Sequence, residues 1–270
     1  QMKYRQLQLR RNHSSSVQNS IDIYTPIYGQ YLPELPLFIN TEEQQRYFAL
    51  NLQDQIFLND QWSVLFGARF DHITQDFQNK LAGISSKKDL QQTSPRLGLN
   101  YRLNDRWSWY ANYGESFALN SGMDRNGDVF NPEKGKSYEI GGKYRITPQS
   151  LLSLALFKMD KENVLTTDPA DSNYQITAGE VSSKGLELDL ETQLNDQFSI
   201  RANYSYTDAQ VEKDQILAKG SRLSNVPKHR GSISSNYEWT LANADKVGLG
   251  APAIYVGKRS GHSTDNGFNL

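Results

Sequence analysis

The chain has 270 residues and a formal net charge of −1, which allows one large domain or two ordinary ones and excludes the basic excess typical of nucleic-acid-binding proteins. It contains no cysteine, so a disulfide framework and thiolate-bound metals are excluded as well. The longest apolar stretch, LLSLALF at 151–157, is too short for a membrane-spanning helix, although alternating strands of a membrane β-barrel would fit this composition.

A short phrase of an apolar residue, Asn-Asp, a polar residue and an aromatic residue recurs along the chain. It reads LNDQW at 58–62, LNDRW at 103–107 and LNDQF at 194–198, with spacings near 45 and near twice 45 residues. Two other turn-forming phrases, TPQS at 147–150 and LANAD at 241–245, continue the series. Because Asn and Asp tolerate left-handed backbone and bond nearby amides, the spacing predicts tight turns near 59, 104, 148, 195 and 243.

The residues on both sides of these turns alternate between apolar and polar side chains. The clearest stretches, in chain order, are 62–71, 96–103, 107–117, 186–194 and 198–207. A period of two residues places successive side chains on opposite faces of a β-strand. We therefore predict an antiparallel all-β fold of about eleven strands, each of about ten or more residues.

The two ends of the predicted hairpins differ. Longer polar stretches, predicted as loops, lie opposite the tight turns, at roughly 11–43, 74–92, 118–133, 160–180 and 209–225. Short turns at one end and long loops at the other are typical of outer-membrane barrels. The aromatic residues after the turns would then lie at one membrane–water interface; they are Trp62, Trp107 and Phe198.

The two faces of the predicted strands suit two different environments. One face would point to lipid, with Trp62, Phe66, Leu99, Trp109, Leu154, Leu188 and Ile200. The opposite face is too charged for a dry core, since it carries Arg69, Arg96, Arg102, Glu139, Lys143, Arg145, Glu187, Asp189, Glu191 and Arg201. This pattern favours a wide lumen filled with water or with a polar plug.

Two water-soluble alternatives fit less well. A propeller of WD40 type also repeats every 40–45 residues, but each of its repeats contains four short strands, whereas two long ones are predicted here. A soluble β-sandwich or barrel would also alternate, but its apolar face would be a mixed aliphatic core and its loops would not be long at one end only.

Seven phrases of the chain, in this order, resemble TonB-dependent siderophore receptors of the bacterial outer membrane. They are LQDQIFLNDQWSVLFGARFDH (52–72), SPRLGLNYRLNDRWSWYANYGESF (94–117), NPEKGKSYEIGGKYRI (131–146), LLSLALFKMDKENVLTTD (151–168), YQITAGEVSSKGLELDL (174–190), NVPKHRGSISSNY (225–237) and YVGKRSG (255–261). The likeness runs from about residue 44 to residue 270. The phrase IDIYTPIYGQ at 21–30 is similar to a loop phrase of hydroxamate-siderophore receptors.

The resemblance implies that residues 1–270 form part of one transmembrane β-barrel domain of 22 strands, without the plug domain and without the last strands. It implies a location in the bacterial outer membrane and a role in energy-coupled uptake of a ferric siderophore, with hydroxamate types favoured. The implied partners are the siderophore, outer-membrane lipid and the TonB–ExbB–ExbD energy transducer, which would act through the plug. A passive porin or a β-barrel adhesin is the alternative. A partial barrel alone would leave two strand edges unpaired.

No pattern of catalytic residues accompanies the strands. The four histidines, at 13, 72, 229 and 262, form no metal-binding pair, and no G-x-S-x-G nucleophile turn is present. DRNGD at 124–128 has the spacing of a calcium loop but lacks its central Gly and distant Glu. We therefore expect no enzyme, no cofactor and no metal held by the protein itself.

The candidate ligand contacts are aromatic. The first long loop contains Tyr24, Tyr28, Tyr31 and Phe38 among three prolines that stiffen it; Phe117, Met123 and Phe130 are weaker candidates. These rings could also pack against one another to fold the loop. Because residues 12–43 contain no Lys or Arg, a compact hydroxamate complex of low charge suits this loop better than a strongly anionic catecholate complex.

Glu139 and Glu187 occupy the charged face in the two phrases most typical of the family. The resemblance implies that these barrel glutamates pair with arginines of the plug. A partly dehydrated carboxylate favours a bidentate Arg partner. The alternative partners lie within the wall, at Lys143, Arg145 or Arg201.

Overall fold

A computed structural model describes residues 2–14, 24–26 and 37–260 of the protein. Its secondary structure consists of eleven strands: β1 (Met2–Ser14), β2 (Leu37–Phe57), β3 (Trp62–Asn79), β4 (Ile84–Arg102), β5 (Trp107–Ala118), β6 (Glu133–Thr147), β7 (Ser150–Thr167), β8 (Gln175–Gln193), β9 (Phe198–Lys213), β10 (His229–Thr240) and β11 (Lys246–Val256). They form one antiparallel sheet in which the strand order follows the sequence. The predicted fold class and strand number are confirmed. Within the described ranges no helix has the length and apolarity needed to cross a membrane.

The chain divides into two compact units. The larger unit is formed by Asn51–Phe70, Thr93–Asn120 and Asn131–Leu270, and it contains all five predicted tight turns. The smaller unit is formed by Gln1–Leu50, Asp71–Gln92 and Ser121–Phe130.

The recurring LND phrase is explained by the side chain of its asparagine. In each copy the Asn Oδ1 accepts hydrogen bonds from the amides two and three residues later, all at 2.9 Å, and this holds for Asn59, Asn104 and Asn195. The turn is also closed by the main chain, as from the Leu103 amide to the Trp107 carbonyl at 3.0 Å. The asparagine side chain therefore provides an acceptor for turn amides that so short a turn does not pair with backbone carbonyls.

One face of the sheet in the larger unit is apolar and exposed. Five of the predicted lipid-facing residues, Phe66, Leu99, Trp109, Leu154 and Leu188, are between 38% and 47% exposed. The other two, Trp62 and Ile200, are half-buried. The strand register aligns Trp109, Gly142, Leu154, Leu188 and Tyr204 in one row across five strands. None of the seven is packed into a closed protein core, as expected for a lipid-facing surface.

Aromatic residues that follow the turns stack on aromatic residues of the neighbouring strand. The ring centroids of Trp62 and Tyr101 are 4.3 Å apart, and so are those of Trp107 and Tyr144. Such pairs contribute about 0.5–1.5 kcal/mol beyond the area that they bury. They reinforce the turn end of the sheet at the level where amphipathic rings suit a membrane interface.

The ends of the hairpins opposite the tight turns differ from the prediction. The sequence predicts loops at 74–92 and 160–180, but β3 and β4 continue until only a four-residue turn at 80–83 separates them, and residues 168–174 alone separate β7 from β8. Gly83 permits the tighter turn because its φ is +66°. The strands of these two hairpins, 18 or 19 residues long, therefore extend beyond the roughly 9–11 residues that a strand needs to cross a membrane.

Two of the predicted long connections are true loops. They are the connection from β5 to β6 at 119–132 and the connection from β9 to β10 at 214–228. Most of the predicted loop at 11–43 lies outside the described residues, although β1 extends to Ser14 and β2 begins at Leu37.

The asparagine of the turn can be tested at position 104. Asn104→Ala in the intact protein removes two hydrogen bonds to backbone amides and should lower the free energy of unfolding by about 1–2 kcal/mol. Asp105→Ala is the matched control, since Asp105 lies in the same turn and forms no hydrogen bond or ion pair with the described residues. Guanidinium unfolding in detergent measures both variants. Equal destabilisation would show that the side-chain cap is not the reason for the repeated phrase.

Candidate functional site

The strand register brings Glu139 and Glu187 to one region of the polar face. Tyr110 on β5 pairs with Gly141 on β6, Gly141 pairs with Ala155 on β7, and Ala155 pairs with Glu187 on β8. Glu139 lies two residues before Gly141 and therefore on the same face of β6. Two small residues, Gly141 and Ala155, thus lie in register between Tyr110 and Glu187.

Two glycines allow aromatic rings of β5 to cross β6. A Cβ atom on Gly141 would lie 2.4 Å from Cζ of Tyr110, and a Cβ atom on Gly142 would lie 2.8 Å from the ring of Trp109. Because successive residues of a strand face opposite sides, Tyr110 crosses on the polar face and Trp109 on the apolar face. The Gly-Gly pair in YEIGGKYRI therefore makes room for one ring on each side of the sheet.

Tyr110 lies among the charged residues of the polar face. Tyr110 and Glu139 line the same recess, and the carboxylates of Glu139, Glu187 and Asp189 are close enough to interact with the phenol electrostatically. The Nζ of Lys143 lies 5.7 Å from the centroid of the Tyr110 ring. We refer to Glu139, Glu187 and Asp189 as the polar-face carboxylates.

The polar-face carboxylates border open space. A recess of about 460 Å³ beside Tyr110 is lined in part by Glu139 and Lys143. A second recess of about 340 Å³ is lined in part by Glu187, Asp189 and Arg230. Polar groups that converge on such recesses can bind a charged partner.

The alternative pairing within the wall is not seen for the two glutamates. Arg201 pairs with Glu191, with Nε and Oε1 at 3.5 Å. Among the described residues neither Glu139 nor Glu187 has a cationic nitrogen within 4.0 Å. Contact of these two carboxylates with a plug stays a prediction, but within these ranges they are not neutralised by the wall.

The smaller unit has a core of its own, which sequence reasoning did not foresee. Its buried apolar side chains are Ala49, Ile73, Phe77, Leu90, Val129 and Phe130. The loop segment Ser121–Phe130 therefore contributes to this core, and Phe130, a weaker ligand candidate, is only 6% exposed. In this stretch the buried side chains of Ile73, Gln75 and Phe77 alternate with more exposed neighbours, as in a strand that is covered on one face.

A buried carboxylate joins this loop to β2. Glu43 is 2% exposed and accepts hydrogen bonds from Gln45 Nε2 at 2.5 Å, from Gln75 Nε2 at 2.7 Å and from the Ser121 hydroxyl. Lys88 Nζ donates to the Val129 carbonyl at 3.1 Å at the other end of the segment. The loop is thus held at both ends by polar groups around an apolar core.

The calcium-like phrase at 124–128 is the tip of a small hairpin. Asp124 Oδ1 accepts hydrogen bonds from the amides of Asn126 at 2.8 Å and Asp128 at 3.0 Å. Gly127 has a φ of +84°, which the tight turn requires. The spacing of these residues is therefore explained by the turn itself.

A second carboxylate organises the loop from β9 to β10. Burial opposes ionisation of Asp214, but hydrogen bonds from the amides of Leu217 and Ile216, at 2.9 and 2.8 Å, outweigh it and hold the pKa of Asp214 below its ordinary value. Because the folded-state pKa is lowered, this stabilisation is present above the ordinary Asp range and is lost as the pH falls through the lowered value.

The aromatic ligand candidates are not brought together in the described residues. Tyr24 is 88% exposed, Tyr28 and Tyr31 lie outside the described residues, and so does the side chain of Phe38, whose backbone is in β2. Phe117 is half-buried near the end of β5, pairs with Lys134 and shares the face of Trp109. Their contact with a ligand stays a prediction.

These features define a class of protein. Consecutive antiparallel strands, tight turns at one end, an exposed apolar face and a charged opposite face are those of an outer-membrane β-barrel wall. Residues 2–270 match the family described as "TonB dependent receptor-like, beta-barrel", and the chain belongs to this family. Its members are outer-membrane proteins of Gram-negative bacteria.

Named relatives support this assignment. The metal-pseudopaline receptor CntO of Pseudomonas aeruginosa (strain UCBPP-PA14) is 40% identical over 258 residues, which cover 93% of this chain and 36% of that protein. The ferrichrome outer membrane transporter/phage receptor of Escherichia coli (strain K12) is 32% identical over 225 residues, 80% of this chain and 30% of that protein. The chain thus spans about a third of the length of these curated relatives.

The fold also matches solved structures. The ferric-catecholate import receptor Fiu of E. coli K12 superimposes with a TM-score of 0.76 at 20% sequence identity, over 96% of this chain and 41% of that chain. At this identity the likeness shows the fold alone.

The role of Glu43 can be tested in the smaller unit. Glu43→Ala leaves the donors of Gln45, Gln75 and Ser121 without their acceptor, which should cost about 1–3 kcal/mol and loosen the segment 121–130. Hydrogen–deuterium exchange of peptides from this segment should then be roughly ten times faster.

The control for Glu43 is its neighbour. Glu42 accepts hydrogen bonds from Lys80 at 2.5 Å and from Arg10 at 3.5 Å in more exposed surroundings, and surface pairs contribute little stability. Glu42→Ala should leave exchange of the segment nearly unchanged. Equal exchange in both variants would contradict the role assigned to Glu43.

Proposed function

We propose that the chain is part of an outer-membrane receptor for energy-coupled uptake of a metal–siderophore complex. The observation that carries this proposal is the family match over residues 2–270, together with relatives named as receptors or transporters of metal chelates. In this proposal residues 1–270 belong to a single barrel domain. A plug outside this chain would transmit energy from the TonB–ExbB–ExbD complex.

The polar face supplies the contact with the plug. Glu139 and Glu187 are not neutralised by described wall cations, and both border recesses on this face. A plug arginine could bond both carboxylate oxygens in a bidentate fashion. The wall would thereby hold the plug by charge-assisted hydrogen bonds that a conformational change can break.

For the ligand we propose a ferric hydroxamate siderophore. The support is the loop phrase IDIYTPIYGQ, the tyrosines Tyr24, Tyr28 and Tyr31, and the absence of Lys and Arg from residues 12–43. A compact complex of low charge can be held by aromatic contacts and a few hydrogen bonds. The ferrichrome transporter among the relatives agrees with this ligand class.

A second ligand has a specific observation in its favour. The relative named as a metal-pseudopaline receptor is 40% identical to this chain, above the 32% of the ferrichrome transporter. A metal-pseudopaline complex is therefore the competing ligand. Uptake of each labelled complex by cells that depend on the intact receptor distinguishes the two.

The ligand proposal leads to a test of the first loop. Tyr28→Ala combined with Tyr31→Ala should lower uptake of labelled ferric hydroxamate about tenfold, or roughly 1.4 kcal/mol, because two aromatic contacts are lost. The matched control replaces both residues by Phe, which keeps the rings. If the unmodified receptor takes up metal-pseudopaline and ignores hydroxamates, the hydroxamate proposal is wrong while the receptor function stands.

The plug contact leads to a separate test. Glu139→Ala combined with Glu187→Ala should loosen the plug, since breaking a dehydrated ion pair costs roughly 3–5 kcal/mol. Cells should become sensitive to large antibiotics that the outer membrane normally excludes. Glu191→Ala is the control, because Glu191 lies on the same face of β8 and pairs with Arg201 in the wall. Unchanged permeability of cells with the double variant at normal receptor levels would contradict the proposed plug contact.

A further inference from the structure

We propose that the polar face of β9 and β10 forms the path along which the metal–siderophore complex crosses the membrane after its release from the ligand site. This inference rests on the proposed uptake function and adds where the ligand passes. Three observations carry it: two recesses that continue into each other, a short polar lining, and two glycines that the fold does not require.

The two recesses lie one after the other along β9 and β10. One, of about 340 Å³, reaches the pair Asn203–Ser232, and the other, of about 530 Å³, begins at the next pair on this face, Arg201–Ser234. The second recess continues to Gln197, in the tight turn before β9. Together they form one continuous depression, which we call the β9–β10 trough, lined by the polar faces of 199–205 and 230–238.

The lining of the trough suits a polar molecule that moves. On the polar face of β9 and β10 it consists of serines, asparagines, two arginines and Glu238. Asn203 Nδ2 donates a hydrogen bond to Ser232 Oγ at 2.8 Å across the two strands. Hydroxyl and amide groups both donate and accept, so they can bond a polar complex of low charge in successive positions. A protein partner that stays bound needs an apolar centre in its interface, and these side chains do not supply one.

β11 leaves open space beside the trough. Its residues opposite Asn236 and Glu238 are Gly250 and Gly248. Among the described residues, a Cβ atom would meet no heavy atom closer than 3.5 Å at Gly250 and 3.8 Å at Gly248, and neither glycine has a positive φ. In contrast to Gly141, these positions require glycine neither for close packing nor for backbone conformation. Since glycine in a strand costs stability, we infer that its role here is the space that it leaves for a ligand.

Two arginines lie at different levels of the trough. Arg230, at the end remote from the turns, has no carboxylate oxygen of the described residues within 4.0 Å. Arg201 pairs with Ser234, four residues beyond Arg230 and therefore about 13 Å closer to the turns. It contacts Glu191 at 3.5 Å, but the two side chains are 77% and 64% exposed, so this ion pair is weak and can exchange its partner. Passage requires successive sites that bind a ligand weakly enough to release it, and the two arginines meet this condition.

The plug would form the opposite side of this path. Glu187, which we propose to contact the plug, borders the recess at the Arg230 end of the trough. The plug contact would therefore close this end at rest. Once the contact is broken, the trough is open from Arg230 to the turns.

Two neighbouring serines of β10 test the path in cells that depend on the intact receptor. Ser234→Phe places a ring in the trough, whereas Ser235→Phe places the same ring on the opposite, apolar face. The probe is whichever of labelled ferric hydroxamate and labelled metal-pseudopaline the unmodified receptor takes up. Binding to de-energised cells and uptake by energised cells are both measured relative to the amount of receptor at the surface. Ser234→Phe should leave the Kd of binding unchanged and lower the rate of uptake about tenfold, because it obstructs passage alone. Ser235→Phe should change neither quantity.

Two further variants locate the effect. Gly250→Phe fills the trough from β11 and should reproduce Ser234→Phe, which keeps the test decisive if one of the two variants does not reach the surface. Ser108→Phe places a ring in the separate recess of about 460 Å³ beside Tyr110 and should leave uptake unchanged.

The remaining outcomes separate the path from the function on which it rests. Normal uptake by Ser234→Phe and Gly250→Phe would overturn the path and leave the receptor function intact. A parallel loss of binding and uptake would also overturn it, because the trough would then belong to the ligand site. So would an equal loss of uptake in Ser108→Phe, since any ring on the polar face would then obstruct transport. If the unmodified receptor takes up neither complex, the proposed function fails and the path fails with it.

Discussion

The constraint on which this structure depends is that lipid offers no hydrogen bonds to a polypeptide backbone. Every strand that faces lipid must therefore pair with a neighbour on each side, which favours long antiparallel strands joined in sequence order. Strand geometry then divides the side chains between two surfaces. The exposed apolar row through Trp109, Leu154 and Leu188 and the charged residues on the opposite face are the two results of this one requirement.

Much of the fold could be predicted because its signals are local. A turn that begins with Asn needs only the amides two and three residues later, so the LND phrases identified three of the five turns directly. Alternation identified the strands on either side. The outer parts of β3 and β4 cannot be predicted in this way, because the polar Gln75 lies between Ile73 and Phe77 on the buried face. Its burial is explained only when the segment 121–130 is known to cover that face.

Local sequence patterns predict only part of the candidate site. Glu139 and Glu187 could be selected from the sequence, because their phrases resemble a family and their face follows from alternation. The position of the Tyr110 ring could not be predicted, because it depends on which residue of β6 lies opposite to it. A shift of the register by one residue would place the Tyr110 ring against a side chain, and the Gly-Gly pair would no longer make room for both rings. The pairing of Tyr110 with Gly141, and not residue type alone, determines where this ring lies.

The central claim is that the two faces of this sheet meet different partners, a plug on one side and lipid on the other. A photo-crosslinking amino acid placed in the intact receptor tests it most directly. Ser205, which pairs with Glu187 on the polar face, and Leu188, on the apolar face, are suitable neighbouring positions. Mass spectrometry should find plug peptides attached at position 205 and only lipid attached at position 188. Plug peptides at position 188, or none at position 205, would contradict the account.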